Sequence, residues 1–210
     1  HLLNLNANVV GICTSKSPTI NSDHTDLATI REASQIPYIH TNDINSIRSV
    51  DWIKHHQPDI IFCLGWSQLI KSALLEVPRL GVVGFHPAYL PNNRGRHPII
   101  WALVLGLNET AATFFIMDET ADGGDILSQT KIEISEEEDA EDLYYKVTVA
   151  AKSQLNEIIP LLISEDFEGI PQTESQANNW RKRKHADGII DWRMPSRGIY
   201  NLIRGLARPY

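Results

Sequence analysis

Short apolar runs alternating with helix-length amphipathic stretches constrain this chain more than any other feature of it. The runs within NVVGICTS, DIIFCLGW and GVVGFH are too brief for buried helices, so strands are expected near residues 8–14, 37–40, 58–64 and 80–86. Helices are expected between and after them, at 26–35, 43–54, 67–76 and from Pro98 to Leu105, where proline suits a first helical turn. Such alternation argues for an α/β fold of parallel strands with helical crossovers. Two more apolar runs, AATFFIMD (111–118) and ILSQTKIEI (126–134), flank the glycine- and aspartate-rich TADGGD, which predicts a turn and an antiparallel or mixed edge to the sheet. A long helix fits 139–164, with Leu143, Val147, Leu155, Ile158 and Leu162 on one face and Pro160 expected to kink or shorten it.

From about 165 to 187 the chain is polar, and ESQANNWRKRKHADG reads as a loop-rich connection. Residues 1–186 are therefore expected to form one domain. Residues 187–210, with IIDW and the helically spaced Ile199, Leu202, Ile203 and Leu206, are expected to begin a second. The opening HLLNLN reads as the tail of a helix and the closing Pro-Tyr as an interior point, so more chain is expected at both ends.

No apolar run approaches the roughly 18 residues that span a bilayer, and no signal-peptide pattern opens the chain, so a soluble, cytoplasmic setting is expected. Cys13 and Cys63 lie inside apolar runs, where reduced, buried thiols are expected rather than a disulfide or metal ligands. A formal charge of 19 − 26 = −7 argues against broad electrostatic binding to nucleic acid. The basic exception, Arg181 to Lys184, is short and reads as a solvated linker.

The chemistry points to two segments. In GVVGFHPAYLPNNRGRHPIIWAL (81–103) an apolar strand ends at His86 and runs into a loop stiffened by Pro87, Pro91 and Pro98. In open α/β sheets ligands bind beyond the carboxyl ends of strands, which is where His86 falls. MDETADGGDIL (117–127) follows another expected strand and carries Asp118, Glu119, Asp122 and Asp125 among glycines that let a ligand approach the backbone. An imidazole paired with such a carboxylate stabilises a developing oxyanion or passes a proton. Taken singly, a strand-end histidine is also consistent with a structural role, and DGGD with a plain turn. His55, His56 and His97 read as solvated or structural.

Together, HPxxLPxxRGxxPxxWAL and MDxxxDxGDIL resemble the signature of the formyltransferase family, which includes methionyl-tRNA, glycinamide ribonucleotide and sugar amine formyltransferases. The resemblance covers about residues 1–186. It implies a Rossmann-like, mostly parallel sheet with helices on both faces, lacking a first strand and helix here and followed by the start of a small C-terminal domain at 187–210. It implies His86 and Asp122 as catalytic residues, with N10-formyltetrahydrofolate as formyl donor. The donor would be held by Ala88, Tyr89, Leu90 and Pro91 and by Ile116, Met117 and Asp118, and no metal is implied. Where the family carries a catalytic asparagine two positions before the histidine, this chain has Gly84. Losing one such oxyanion donor commonly costs roughly 10²- to 10³-fold in rate; Asn92, Asn93 or a water is the expected substitute.

The implied acceptor is a nucleotide-linked amino sugar, on the likeness of GFHPxxLPxxRGRHPIIWAL and the later DW and YNLIRG stretches to sugar formyltransferases. Two alternatives stand beside it: a methionyl-tRNA formyltransferase using the Arg181–Lys184 cluster, and a module that binds or hydrolyses formyltetrahydrofolate. A plain nucleotide-binding domain lacks support, because neither GxGxxG nor GxxxxGKS is present.

Overall fold

The computed structural model describes residues 1–5, 7–16, 25–28 and 35–210; the helix expected over 26–35 falls largely outside them. In chain order the elements are β1 (Ile12–Thr14), β2 (Tyr38–His40), α1 (Ile47–His55), β3 (Ile61–Cys63), α2 (Ser72–Leu75), β4 (Val82–His86), β5 (Arg94–Gly95) and α3 (Pro98–Val104). They continue as β6 (Glu109–Ile116), β7 (Ile126–Glu133), α4 (Ala140–Ser164), β8 (Asn179–Trp180) and α5 (Ser196–Gly205). The opening HLLNLN contributes a 3₁₀ turn at Leu2–Leu5.

The central sheet has the order β3-β4-β6-β7. β3 and β4 are parallel, whereas β4–β6 and β6–β7 are antiparallel, so this sheet is mixed rather than mostly parallel. The reason lies in residues 87–108. α3 has seven residues, about 10 Å of helix, which is shorter than the roughly 17 Å of five-residue β4. The chain therefore re-enters the sheet at the end it left, with Thr113 opposite His86. Gly106, at φ +68°, ends α3 in a left-handed turn that feeds β6 directly. β1 and β2 form a separate parallel pair, and β5 and β8 another.

Pleating divides β4 cleanly. Val83 and Phe85 pack towards α4, with Phe114, Leu155 and Ile158, while Gly84 and His86 point to the opposite side. α4 and α3 share the first face through Leu143, Val147, Ile99 and Leu103; α1 and α2 pack against β3 on the other through Val50, Ile53 and Leu74. Helices thus lie on both sides, as expected. α4 starts at a capping box, in which the Asp139 carboxylate accepts from Glu141 and Asp142 N–H and Asp142 accepts in return from Asp139 N–H. It runs unbroken through Pro160, which sits on the exposed side where the missing backbone bond faces solvent.

The helix expected over 67–76 is only Ser72–Leu75, because side chains tie the preceding segment to residues 42–45. Gln68 Nε2 donates to Asn42 O, and Asn45 bonds both Leu69 O and Lys71 N–H. Residues 196–205 form α5, which lies against α3: a Cβ on Gly205 would sit 3.0 Å from Val104 Cγ2. Arg204 reaches further to the carbonyls of Ser135, Glu136 and Glu138.

A cavity of about 630 Å³ opens between the facing edges of β1 and β3, lined by Ile12, Cys13, Trp52, Ile61, Cys63 and Leu162. It includes neither His86 nor Asp122. Both cysteines are free, and burial pushes each thiol up to about 11. No helix among the described residues is long and apolar enough to cross a membrane.

Candidate active site

His86 ends β4 and is buried, 5% exposed. Its Nε2 donates to Asn93 O at 2.8 Å. Its Nδ1 lies 3.5 Å from Asp122 Oδ2, without hydrogen-bond alignment. The two segments singled out from sequence therefore meet in space, as the pairing of an imidazole with a carboxylate requires.

Asp122 is placed by backbone geometry. It adopts φ +55°, a left-handed conformation that aspartate tolerates better than most residues. Gly124 permits the turn to close, since a Cβ there would come within 1.7 Å of Ile116 O. The carboxylate accepts from Gly95 N–H at 2.9 Å. The loop at 93–95 thus grips both partners, with the Asn93 carbonyl on the imidazole and the Gly95 amide on the acid.

That loop is itself held by residues that read as a linker in the sequence. Asn178 Oδ1 accepts from Asn93 N–H, Asn178 O accepts from Arg94 N–H at 3.0 Å, and β5 pairs with β8. Arg94 is buried and donates to Gln172 Oε1 at 2.9 and 3.1 Å and to Glu174 at 2.7 and 3.2 Å. The Arg94 guanidinium holds the Glu174 carboxyl below the usual carboxylate range. Residues 165–187 are therefore a wall of the site as well as a connection. No apolar periodicity marks them, which is why the sequence did not reveal this role.

Beside His86 the wall is apolar. Gly84 pairs with Phe115, and a Cβ on Gly84 would lie 2.7 Å from Phe115 Cζ and 2.9 Å from Met117 Cγ. Phe115 and Met117 fill the space a side chain at position 84 would take. Asn93, expected as a substitute donor, presents its backbone carbonyl to His86 and its backbone N–H to Asn178; Asn92 is exposed.

Of the expected donor-binding residues, Ala88 and Leu90 are buried, with their carbonyls bonded by Thr113 Oγ1 at 2.7 Å and Gln129 Nε2 at 3.0 Å. The N–H groups of Ile116 and Met117 are committed to Asp125 O and Val82 O. Asp118 Oδ1 accepts from Thr120 N–H at 2.7 Å. Pro91 follows Leu90 through a cis peptide, and Tyr89 is 43% exposed.

The basic cluster is largely engaged. Arg181 pairs with Asp187, and Arg183, 8% exposed, donates to Asp187 O while both guanidiniums lie over Trp101 at 5.3 and 4.8 Å. Arg183 is the buried member of the cluster, whereas Arg181, Lys182 and Lys184 are exposed, as expected of a solvated linker. His97 caps α3 with Nδ1 buried and without a hydrogen-bond partner; burial, then Arg96, Lys182 and Arg183, push its pKa down. His56 stacks 4.0 Å from Trp52 and bonds its carbonyl. Among the described residues no group of three or more His, Cys, Asp or Glu is arranged to hold a metal ion.

A family model described as formyl transferase matches residues 4–159. The chain belongs to the formyl transferase family. That family is one of enzymes, and this one resembles the bifunctional polymyxin resistance protein ArnA of Wigglesworthia glossinidia brevipalpis, 34% identical over 176 residues. The match takes in 84% of this chain but 27% of that relative's length. Among solved structures, a 4-N formyltransferase from Francisella tularensis aligns over 100% of this chain and 85% of its own, at TM-score 0.76 and 22% identity. An N-formyltransferase from Helicobacter canadensis, in complex with folinic acid and dTDP-3-aminofucose, aligns over 93% and 69% at TM-score 0.72 and 18% identity. At those identities the structural likeness establishes the shared fold.

Proposed function

We propose that this chain transfers a formyl group from N10-formyltetrahydrofolate to the amine of a nucleotide-linked amino sugar, with His86 and Asp122 as its catalytic residues. The observation that carries this reading is the meeting of His86 and Asp122, 3.5 Å apart, from the end of β4 and the turn after β6. The residues present suit a formamide-type donor: an imidazole N–H for the oxygen, a carboxylate for a proton, and the apolar Phe115 and Met117 beside them.

The folate supplies an activated formyl carbon. As the uncharged acceptor amine bonds to it, negative charge grows on the formyl oxygen, and His86 Nε2–H turns from Asn93 O to meet it. Asp122, steadied by Gly95 N–H, takes the proton the amine loses. The bond from the formyl carbon to the folate nitrogen then breaks, and that nitrogen regains a proton. Residues 1–186 carry this chemistry.

The amino-sugar acceptor is favoured by the likeness to the Helicobacter canadensis N-formyltransferase in complex with folinic acid and dTDP-3-aminofucose, and by the formal charge of −7, which disfavours broad binding to tRNA. The test is to incubate the protein with N10-formyltetrahydrofolate and a panel of nucleotide-linked amino sugars, with charged initiator tRNA alongside, and to weigh the products. A formylated sugar supports the proposal. Product on tRNA alone, or formate without any formylated amine, overturns it.

A further inference from the structure

We propose that Gln172 is a positioning residue for Asp122, holding the turn that carries the acid at the depth where it meets His86. The inference rests on the reading of Asp122 as the group that takes the amine proton. It comes from a residue outside both signature segments, 50 positions from Asp122 in the chain.

Gln172 spends its whole amide on this site. Its Nε2 donates to Asp122 O at 2.8 Å and to Gly124 O at 2.7 Å, so one NH₂ group bridges the first and third residues of the Asp-Gly-Gly turn. Its Oε1 accepts two hydrogen bonds from the buried guanidinium of Arg94, at 2.9 and 3.1 Å. Arg94 is adjacent to Gly95, whose N–H fixes the Asp122 carboxylate at 2.9 Å. Gln172 therefore ties the backbone of the acid-bearing turn to the loop that grips the acid's side chain. Asp122 needs such a tie, because its left-handed φ of +55° costs free energy that surrounding structure must offset. The two glycines that follow it add freedom rather than rigidity. Among amide side chains, glutamine supplies two N–H bonds for two carbonyls and an acceptor for a cation.

Two variants separate the possible roles. Gln172→Ala removes every contact. Gln172→Glu keeps the shape and strengthens the pairing with Arg94, but faces the carbonyls of Asp122 and Gly124 with an oxygen. If Gln172 positions Asp122, both lower kcat about tenfold to a hundredfold, in line with the cost of a displacement near 1 Å, while the KM for formyltetrahydrofolate stays within about twofold. In an Asp122→Asn background the further loss from Gln172→Glu falls below about threefold, because the two act through one group. Wild-type turnover in Gln172→Glu, or full additivity with Asp122→Asn, overturns the proposal.

A readout without turnover accompanies the kinetics: the ¹⁵N resonance of His86 Nδ1 at fixed neutral pH. It moves in Gln172→Glu in the direction it moves in Asp122→Asn if the acid has left its place, and an unmoved resonance overturns the proposal. Should the wild type formylate no acceptor, the proposed function falls while this measurement still decides the role of Gln172.

Discussion

Replacing Gly84 with asparagine, the residue the family carries there, destabilises this protein instead of improving it. A Cβ at position 84 would lie 2.7 and 2.9 Å from Phe115 Cζ and Cε1 and 2.9 Å from Met117 Cγ, against an ordinary contact of 3.4–4 Å. The methionine is unbranched and can yield. Phe115 has less room: it is 1% exposed, packed with Leu90 and Ile126, and its backbone is paired to both β4 and β7. Forcing atoms into such a site costs about 1–3 kcal/mol, which for a chain of this length lowers Tm by roughly 2–12 °C. Phe115→Leu in the same chain makes room, so the double variant should recover part of the loss that Gly84→Asn alone incurs, a positive coupling expected only between residues in contact. Thermal and urea melts of wild type, both single variants and the double variant measure this. If Gly84→Asn melts with the wild type, or the two changes add independently, Phe115 does not occupy the space that an asparagine at 84 needs.

His86→Ala and Asp122→Ala should each lower formyl transfer about tenfold to a thousandfold with an unchanged circular dichroism spectrum; retained turnover in either removes that residue from the mechanism. Gly124→Ala should cost more stability than Gly123→Ala, since its Cβ would meet the fixed Ile116 carbonyl at 1.7 Å whereas Gly123 faces the Thr120 side chain, and paired urea melts decide the order. Cys13 and Cys63 are raised from 9.0 to about 11 in the folded chain, so folding favours their protonated thiols. Their contribution is complete below about pH 9 and is lost as pH rises through 11. A Cys13→Ala, Cys63→Ala chain should therefore lose less stability across that interval than the wild type, as read by urea midpoints at each pH.

Much of the site is legible in the sequence. A period-2 strand puts Gly84 and His86 on one side of β4, and the proline-rich loop and the Asp-Gly-Gly turn mark where the chain leaves regular structure. Other readings fail for identifiable reasons. Pro160 suggests a broken helix, yet the lost hydrogen bond falls on the exposed side of α4, open to solvent. The run at 67–76 has helical spacing, but Asn45 and Gln68 offer its backbone and neighbours better local partners. The departure at Gly84 looks like the loss of a donor; Phe115 and Met117, 31 and 33 positions away, show that the volume is filled by other side chains.

What the sequence determined by itself was what short-range physics controls: which segments extend or coil, which face each presents, and where only glycine fits a turn. Tertiary structure decided what depends on partners distant in the chain. It extended the antiparallel edge that the Asp-Gly-Gly turn predicts to the β4–β6 pair, because α3 is too short to carry the chain back along β4. It also turned the polar residues 172–180 into the support of the Asp122 turn, because Gln172 meets Arg94 and Asn178 meets Asn93 across separations of 78 and 85 residues. Hydrogen bonds between single side chains and loop backbone carry no periodicity, so nothing along the chain announces them until the fold closes.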